Sequence, residues 1–275
     1  MKYMFLNNSF FDFGFSVASH VDTGRRRTTN QDEVIICPHT GFFAVSDGMG
    51  GLSFGGKTSQ MIQQKLPDIM VETLSDYGKK PSPERAAKLI SKRIAKLSDA
   101  IYQSGNTGSR FNLGATLTGV WLTGRQAVFV NLGDSRGYIL PSKKRKIRQI
   151  TDDHNMAAFL VRQGEITKEE ARFHPGSARL MRFMGMDPPA SPEVFICDVH
   201  QGDIILLCSD GLYGMIDDAA LPALMRSSKN PARVCERMVA KANANGGIDN
   251  ISVICIIIIQ NDICLYGKRG IDKKG

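Results

Sequence analysis

Apolar residues gather in short runs along the chain, at 15–21, 33–37, 42–46, 116–122, 126–132, 136–140, 146–150, 193–199, 203–209 and 250–259. Most are rich in β-branched and aromatic residues and closed off by turn residues, which predicts strands. Leu122-Thr123-Gly124-Arg125-Gln126 joins two of them, and His200-Gln201-Gly202-Asp203 joins two more. Connections this short can link only antiparallel neighbours. Elsewhere the spacing turns helical. Over 83–104, Ile90, Ile94, Leu97 and Ile101 share one face, with Ser82 as N-cap and Pro83 at the first helical position. A stripe of Met61/Ile62, Leu66, Ile69/Met70 and Leu74 precedes it, with a kink expected at Pro67. Further helices are expected over about 154–163, ended by Gly164, and over 230–244; Thr167 and Glu170 form a capping box for a short one between. Helical blocks set apart from paired strands predict an α+β fold, with antiparallel sheets and helices packed outside them. No linker interrupts the pattern, so one domain is expected over 1–275, its core about 14–260 between short terminal extensions.

At 275 residues and 42% hydrophobic the chain can bury a full core. Its longest apolar run, ISVICIIII at Ile251–Ile259, is under half of the ~20 residues a membrane helix needs. MKYMFLNNSFFDFGF lacks the unbroken apolar stretch of a signal peptide, so a soluble, cytoplasmic, monomeric protein is expected. The six cysteines form no CxxC pair and mostly sit in apolar runs, which predicts reduced core thiols. The five histidines make no zinc-binding spacing. The net charge of +8 comes largely from Arg25–Arg27, Lys143–Arg148 and Lys268–Lys274. No aromatics interleave with these residues as base stacking requires, so nucleic acid is not an expected partner. A basic rim that attracts acidic phosphoproteins accounts for the charge.

Four aspartates stand at strand mouths beside Gly or Asn: Asp47 in FFAVSDGMGG, Asp134 in FVNLGDSRG, Asp210 in IILLCSDGL and Asp249 in GGIDNIS. Singly, each is a common turn residue. Four together, without histidine or cysteine clusters, point to hard divalent cations, because buried carboxylates repel one another and all-oxygen sites suit Mg²⁺ or Mn²⁺. Upstream, Arg27-Thr-Thr-Asn-Gln-Asp32 offers a guanidinium fork that matches phosphate oxygens.

The motifs RTTNQD, VSDGMGG, GATLTG, NLGDSRGYIL, ITDDHN, CSDGLYG and DNISV, in this order from about Gly14 to Ile259, resemble the type 2C metal-dependent protein phosphatases, specifically the compact bacterial serine/threonine members. The resemblance implies a four-layer αββα sandwich of two antiparallel sheets flanked by helices. It implies hydrolysis of phosphoserine and phosphothreonine in phosphoproteins, including a counterpart Ser/Thr kinase. It also implies that Asp47 bridges two Mn²⁺ or Mg²⁺ ions and the Gly48 carbonyl reaches one, while Asp210 and Asp249 complete the other. Asp134 with Asp210 would hold a third, weaker ion. Arg27 corresponds to the phosphate clamp and Asp32 to a carboxylate acting through metal-bound water. The segment 164–189 corresponds to a mobile substrate-selecting flap, with His174 and Arg182 as its candidate contacts. Gln31 stands where eukaryotic relatives often carry a ligating Glu, and Met49 where they carry a His proposed as general acid.

Two alternatives compete. Gly51-Leu-Ser-Phe-Gly-Gly56-Lys57-Thr58 matches the phosphate loop of nucleotide hydrolases, but that class needs a parallel sheet and would leave Asp134, Asp249 and RTTNQD without a role. A catalytically weak relative that only binds or regulates a partner is disfavoured by the complete aspartate set.

Overall fold

The computed structural model describes residues 3–7, 11–49, 55–76, 82–105 and 114–260. Among these residues twelve strands fall into two antiparallel sheets. The first has the order β1 (Tyr3–Asn7), β2 (Gly14–Asp22), β12 (Ile251–Ile259), β11 (Ile204–Cys208), β8 (Arg136–Leu140) and β9 (Arg148–Gln149). The second runs β10 (Glu193–Asp198), β7 (Gln126–Leu132), β6 (Leu117–Thr123), β4 (Phe42–Met49) and β3 (Asp32–Cys37), with the two-residue β5 (Gly114–Ala115) beside β4.

Alternation explains how the sheets meet. Phe15 and Val17 of β2, Phe43 and Val45 of β4, Phe129 of β7 and Ile254 and Ile256 of β12 fill the space between them. The other face of β12, Ile251, Val253 and Cys255, is covered by helix α7 (Pro231–Ala244). Both faces of β12 are therefore dry, and this is why its sequence runs apolar without a break. Burying each such isoleucine contributes roughly 1.5–3 kcal/mol. On the far side of the second sheet, α1 (Gly55–Ser75) and α2 (Pro83–Gly105) pack Ile62, Leu66, Met70, Ile90 and Ile94 onto Trp121 and Val128. The result is the four-layer αββα sandwich.

Most local signals act as expected, but the His200–Asp203 connection is not the hairpin its length implied: β10 pairs with β7 in the second sheet and β11 with β12 and β8 in the first, so this short turn crosses between the sheets. Ser82 Oγ accepts from the Arg85 N–H, and α3 (Met156–Gln163) is capped by Asn155 and closed by Gly164 at φ +76°. The Thr167–Glu170 capping box opens α4 (Lys168–Ala171). Pro67 lies inside α1 and does not end it. Several short elements escaped the pattern: β1, β5, α5 (Asp210–Tyr213) and α6 (Leu221–Met225). The strand expected over 146–150 shrinks to β9, because Ile147 turns toward the helix side of the first sheet.

The segment 164–189 divides. Its first half is largely exposed, but Met184 is fully buried, Met181 N–H donates to the His154 carbonyl and Gly185 N–H donates to the buried Ser98 Oγ. The expected surface excursion is thus anchored from Leu180 onward. Of the match to a nucleotide-binding loop, 51–54 lie outside the described residues. Lys57 and Thr58 fall in the first turn of α1, against two antiparallel sheets and without a parallel βαβ unit among the described residues.

Candidate active site

Five chain segments bring their aspartates to the same end of the sandwich. Asp32 opens β3 and Asp47 lies near the end of β4, directly across the ladder from it. Asp134 follows β7, Asp210 begins α5 just beyond β11, and Asp249 sits in the turn before β12. Two glycines permit the close approach of these segments. A side chain at Gly211 would put a Cβ 2.0 Å from the Asn250 carbonyl oxygen, and one at Gly24, at φ +81°, would sit 2.2 Å from that of Asp249.

A buried polar lattice holds these residues in place. Ser209 Oγ donates to Asp32 Oδ2 at 2.7 Å and accepts from Ser252 N–H at 3.0 Å, which ties β3 to β11 and β12. Asp47 N–H donates to Thr116 Oγ1 at 3.0 Å, while Thr116 N–H donates to the Asp47 carbonyl at 2.8 Å. Asn250 staples the loop that carries Arg27. Its Oδ1 accepts from Gln31 N–H, and its Nδ2 donates to the carbonyls of Thr23 and Thr29, each at 2.9 Å. Arg136 forks onto Asp153 at 2.9 and 2.7 Å, stacks 3.7 Å from the Tyr213 ring centroid, and Tyr213 Oη donates to the Asp134 carbonyl. Asn250, Ser209 and the Arg136–Asp153 pair were missed as site residues. All lie inside or beside the motifs, but their roles are contacts across the fold that spacing does not encode.

The electrostatics are those of crowded acids. Burial pushes Asp32 up to about 7 and Asp210 up to about 6. Asp47 and Asp134 are also pushed well above the ordinary carboxylate range, by burial first and then by neighbouring carboxylates. Oδ1 of Asp32 and Oδ1 of Asp210 are buried with no donor, and Asp47 stands within proton-sharing reach of both acids. Asp249 turns outward to Arg27, whose Nη2 donates to its Oδ2 at 2.7 Å. As they stand, no three His, Cys, Asp or Glu side chains among the described residues converge tightly enough to clasp an ion. The donor set nevertheless fits hard divalent cations. A divalent charge would satisfy the orphaned carboxylate oxygens and offset the burial and mutual repulsion that raise their proton affinity. The Gly48 carbonyl belongs to the same strand end as Asp47.

Of the two flap residues, His174 serves its own segment and Arg182 ties the segment to β10. His174 Nδ1 accepts from Gly176 N–H at 3.0 Å and caps a 3-10 turn at Pro175–Ala178. Arg182 pairs with Glu193 at 2.8 Å, and Glu193 also meets His154 Nε2 at 3.0 Å. Covalent thiol chemistry is disfavoured. The described cysteines are free, and burial pushes Cys37 up to about 11 and Cys235 up to about 12. No described helix is long and apolar enough to cross a membrane.

The comparisons with known proteins agree with this geometry. The family model for protein phosphatase 2C matches residues 18–245. Serine/threonine phosphatase stp of Listeria monocytogenes is 31% identical over 251 residues, covering 90% of this chain and 96% of the relative. The solved serine/threonine phosphatase of S. agalactiae superposes with a TM-score of 0.76 at 25% identity, covering 89% of this chain and 99% of that one. The catalytic domain of PstP, solved in complex with 2 manganese ions, superposes with a TM-score of 0.70 at 26% identity, covering 90% and 99%.

Proposed function

The chain belongs to the protein phosphatase 2C family of serine/threonine phosphatases, and from that premise we propose which of its residues perform the reaction. Asp47, the Gly48 carbonyl, Asp210 and Asp249 would hold two divalent cations, and Asp134 with Asp210 a third. Bound there, Mn²⁺ or Mg²⁺ supplies Lewis-acid activation of water and neutralises charge at phosphorus.

Arg27 binds the phosphate. Its side chain is 54% exposed and engages Asp249 through Nη2, so its fork can open toward an incoming phosphoryl group. Asp249 thereby holds the guanidinium in place beside the aspartates. Asp32 is held at Oδ2 by Ser209, and its unpartnered Oδ1 accepts and passes on a proton. Met49 has no proton to give, so the departing serine or threonine oxygen takes one from water. Ser209, Thr116 and Asn250 orient these groups and bind no substrate. His174 and Arg182 act through the flap on the choice of phosphoprotein.

The same reading makes the substrates phosphoserine and phosphothreonine proteins, a counterpart Ser/Thr kinase among them, and the enzyme a cytoplasmic monomer. The five cysteines among the described residues are free thiols, which suits a reducing compartment. The observation that carries the proposal is the gathering of five aspartates at one end of the sandwich, with Arg27 held there by Asp249. The test is hydrolysis of a phosphothreonine peptide with Mn²⁺, with EDTA, and in Asp47→Asn, Asp210→Asn and Asp249→Asn. Turnover should vanish in EDTA and fall by orders of magnitude in each variant. Full activity in chelator would overturn the assignment.

A further inference from the structure

The hairpin between β8 and β9 is built unlike an ordinary solvated turn. Lys143, Lys144, Arg145 and Lys146 are consecutive and exposed, and among the described residues none forms an ion pair. Four like charges in a row repel one another and gain from freedom to spread. Here the backbone that carries them is held fixed instead. Arg226 Nη2 donates to the carbonyls of Pro141 at 2.9 Å, Ser142 at 3.4 Å and Lys144 at 2.5 Å. The buried carboxylate of Asp203 accepts from Ser142 N–H at 2.7 Å, and Ile147 packs against the helix-side core. Bracing the hairpin with a fifth cation raises its positive potential further.

Its position narrows the partner. β8 runs away from the Asp134 end, and Leu140 pairs with Ile204 at the start of β11, whereas Cys208, two residues before Asp210, pairs with Arg136. The cations therefore lie more than one strand length from the carboxylates, about 17 Å along β8 plus the residues that flank it at either end. An extended chain covers that distance in about six to ten residues. The hairpin shows none of the exposed large apolar side chains that would insert into a membrane or stack on bases; those among the described residues are Val71, Phe173, Met181, Ile196 and Ile248. We propose that the braced hairpin Pro141–Ile147 is a docking surface for an acidic segment of the substrate phosphoprotein, about six to ten residues from the phosphorylated residue.

This inference rests on the phosphatase reading and deepens it. The experiment compares two phosphothreonine peptides with the same phosphosite. One carries four Asp or Glu residues about eight positions away, the other Ser and Gly there. Turnover of the plain peptide and of p-nitrophenyl phosphate establishes the phosphatase reading separately, so its failure would be seen first. The wild type should favour the acidic peptide about tenfold in kcat/KM, mainly through KM, and the advantage should shrink as salt rises from about 50 to 300 mM. The fourfold variant Lys143→Glu/Lys144→Glu/Arg145→Glu/Lys146→Glu should lose the preference while keeping wild-type rates on the other two substrates. Arg226→Ala, which frees the hairpin without altering its four cations, should lose part of it. Equal use of both peptides by the wild type, or a preference that survives in the fourfold variant, would overturn the proposal. So would a variant whose peptide kinetics stay normal while its binding to phosphatidylserine vesicles or RNA is lost.

Discussion

Replacing Asp32 with Asn should stabilise the ion-free protein at pH 8 while crippling its catalysis. Asp32 is 3% exposed, and burial raises its carboxyl from 3.8 to about 7. A carboxyl with raised folded-state proton affinity favours the fold while it is protonated. That contribution is present below its unfolded value and is lost as pH climbs from about 4 to about 7. At about 1.4 kcal/mol per pH unit, the charged group costs up to roughly 4 kcal/mol at pH 8. Part of that is shared with Asp47 and Asp210, which hold the same protons. Asn removes the charge and keeps an oxygen to accept from Ser209 Oγ. In EDTA, urea unfolding should therefore show the variant more stable by about 1–4 kcal/mol at pH 8, or roughly 2–4 °C in Tm per kcal/mol. At pH 5 the gain should shrink below about 2 kcal/mol, because only the first unit or so of the interval has been crossed. With Mn²⁺ present, turnover of a phosphothreonine peptide should fall roughly a hundredfold. A variant less stable than wild type at pH 8, or equally stabilised at both pH values, would refute the reasoning.

Arg27→Ala should lower kcat/KM by about ten- to over a hundredfold, the equivalent of roughly 1.5–3 kcal/mol for a lost charge-assisted contact, with little change in Tm. Steady-state kinetics on a phosphopeptide checks this. His174→Ala and Arg182→Ala should change rates on phosphopeptides more than on p-nitrophenyl phosphate. Arg182→Ala should also lower Tm slightly, because it strips Glu193 of one of its two partners and leaves His154; equal losses on both substrates would show that the flap does not select.

Much of the molecule was legible before any coordinates. Turn lengths such as Gly124 between β6 and β7 required antiparallel neighbours, and the apolar stripes of α1 and α2 named the residues that now cover Trp121. These signals are local: a period of two or of 3.6 states which face must be dry whatever it packs against. The same holds for caps such as Asn155 and Gly164, whose hydrogen bonds close within a few residues. Elements that are short or held by distant partners left no such mark. β1 exists because it pairs with β2, and β5 because it pairs with β4. The aspartates could be picked out one by one from their place after apolar strands, and motif order grouped them. Their chemistry as a group is a tertiary fact. Asp249 meets Arg27 from 222 positions away, and Asp32 reaches Ser209 from 177. Charge repulsion, orphaned oxygens and raised proton affinity depend on distances through a dry interior, and only closing the two sheets on each other decides those distances.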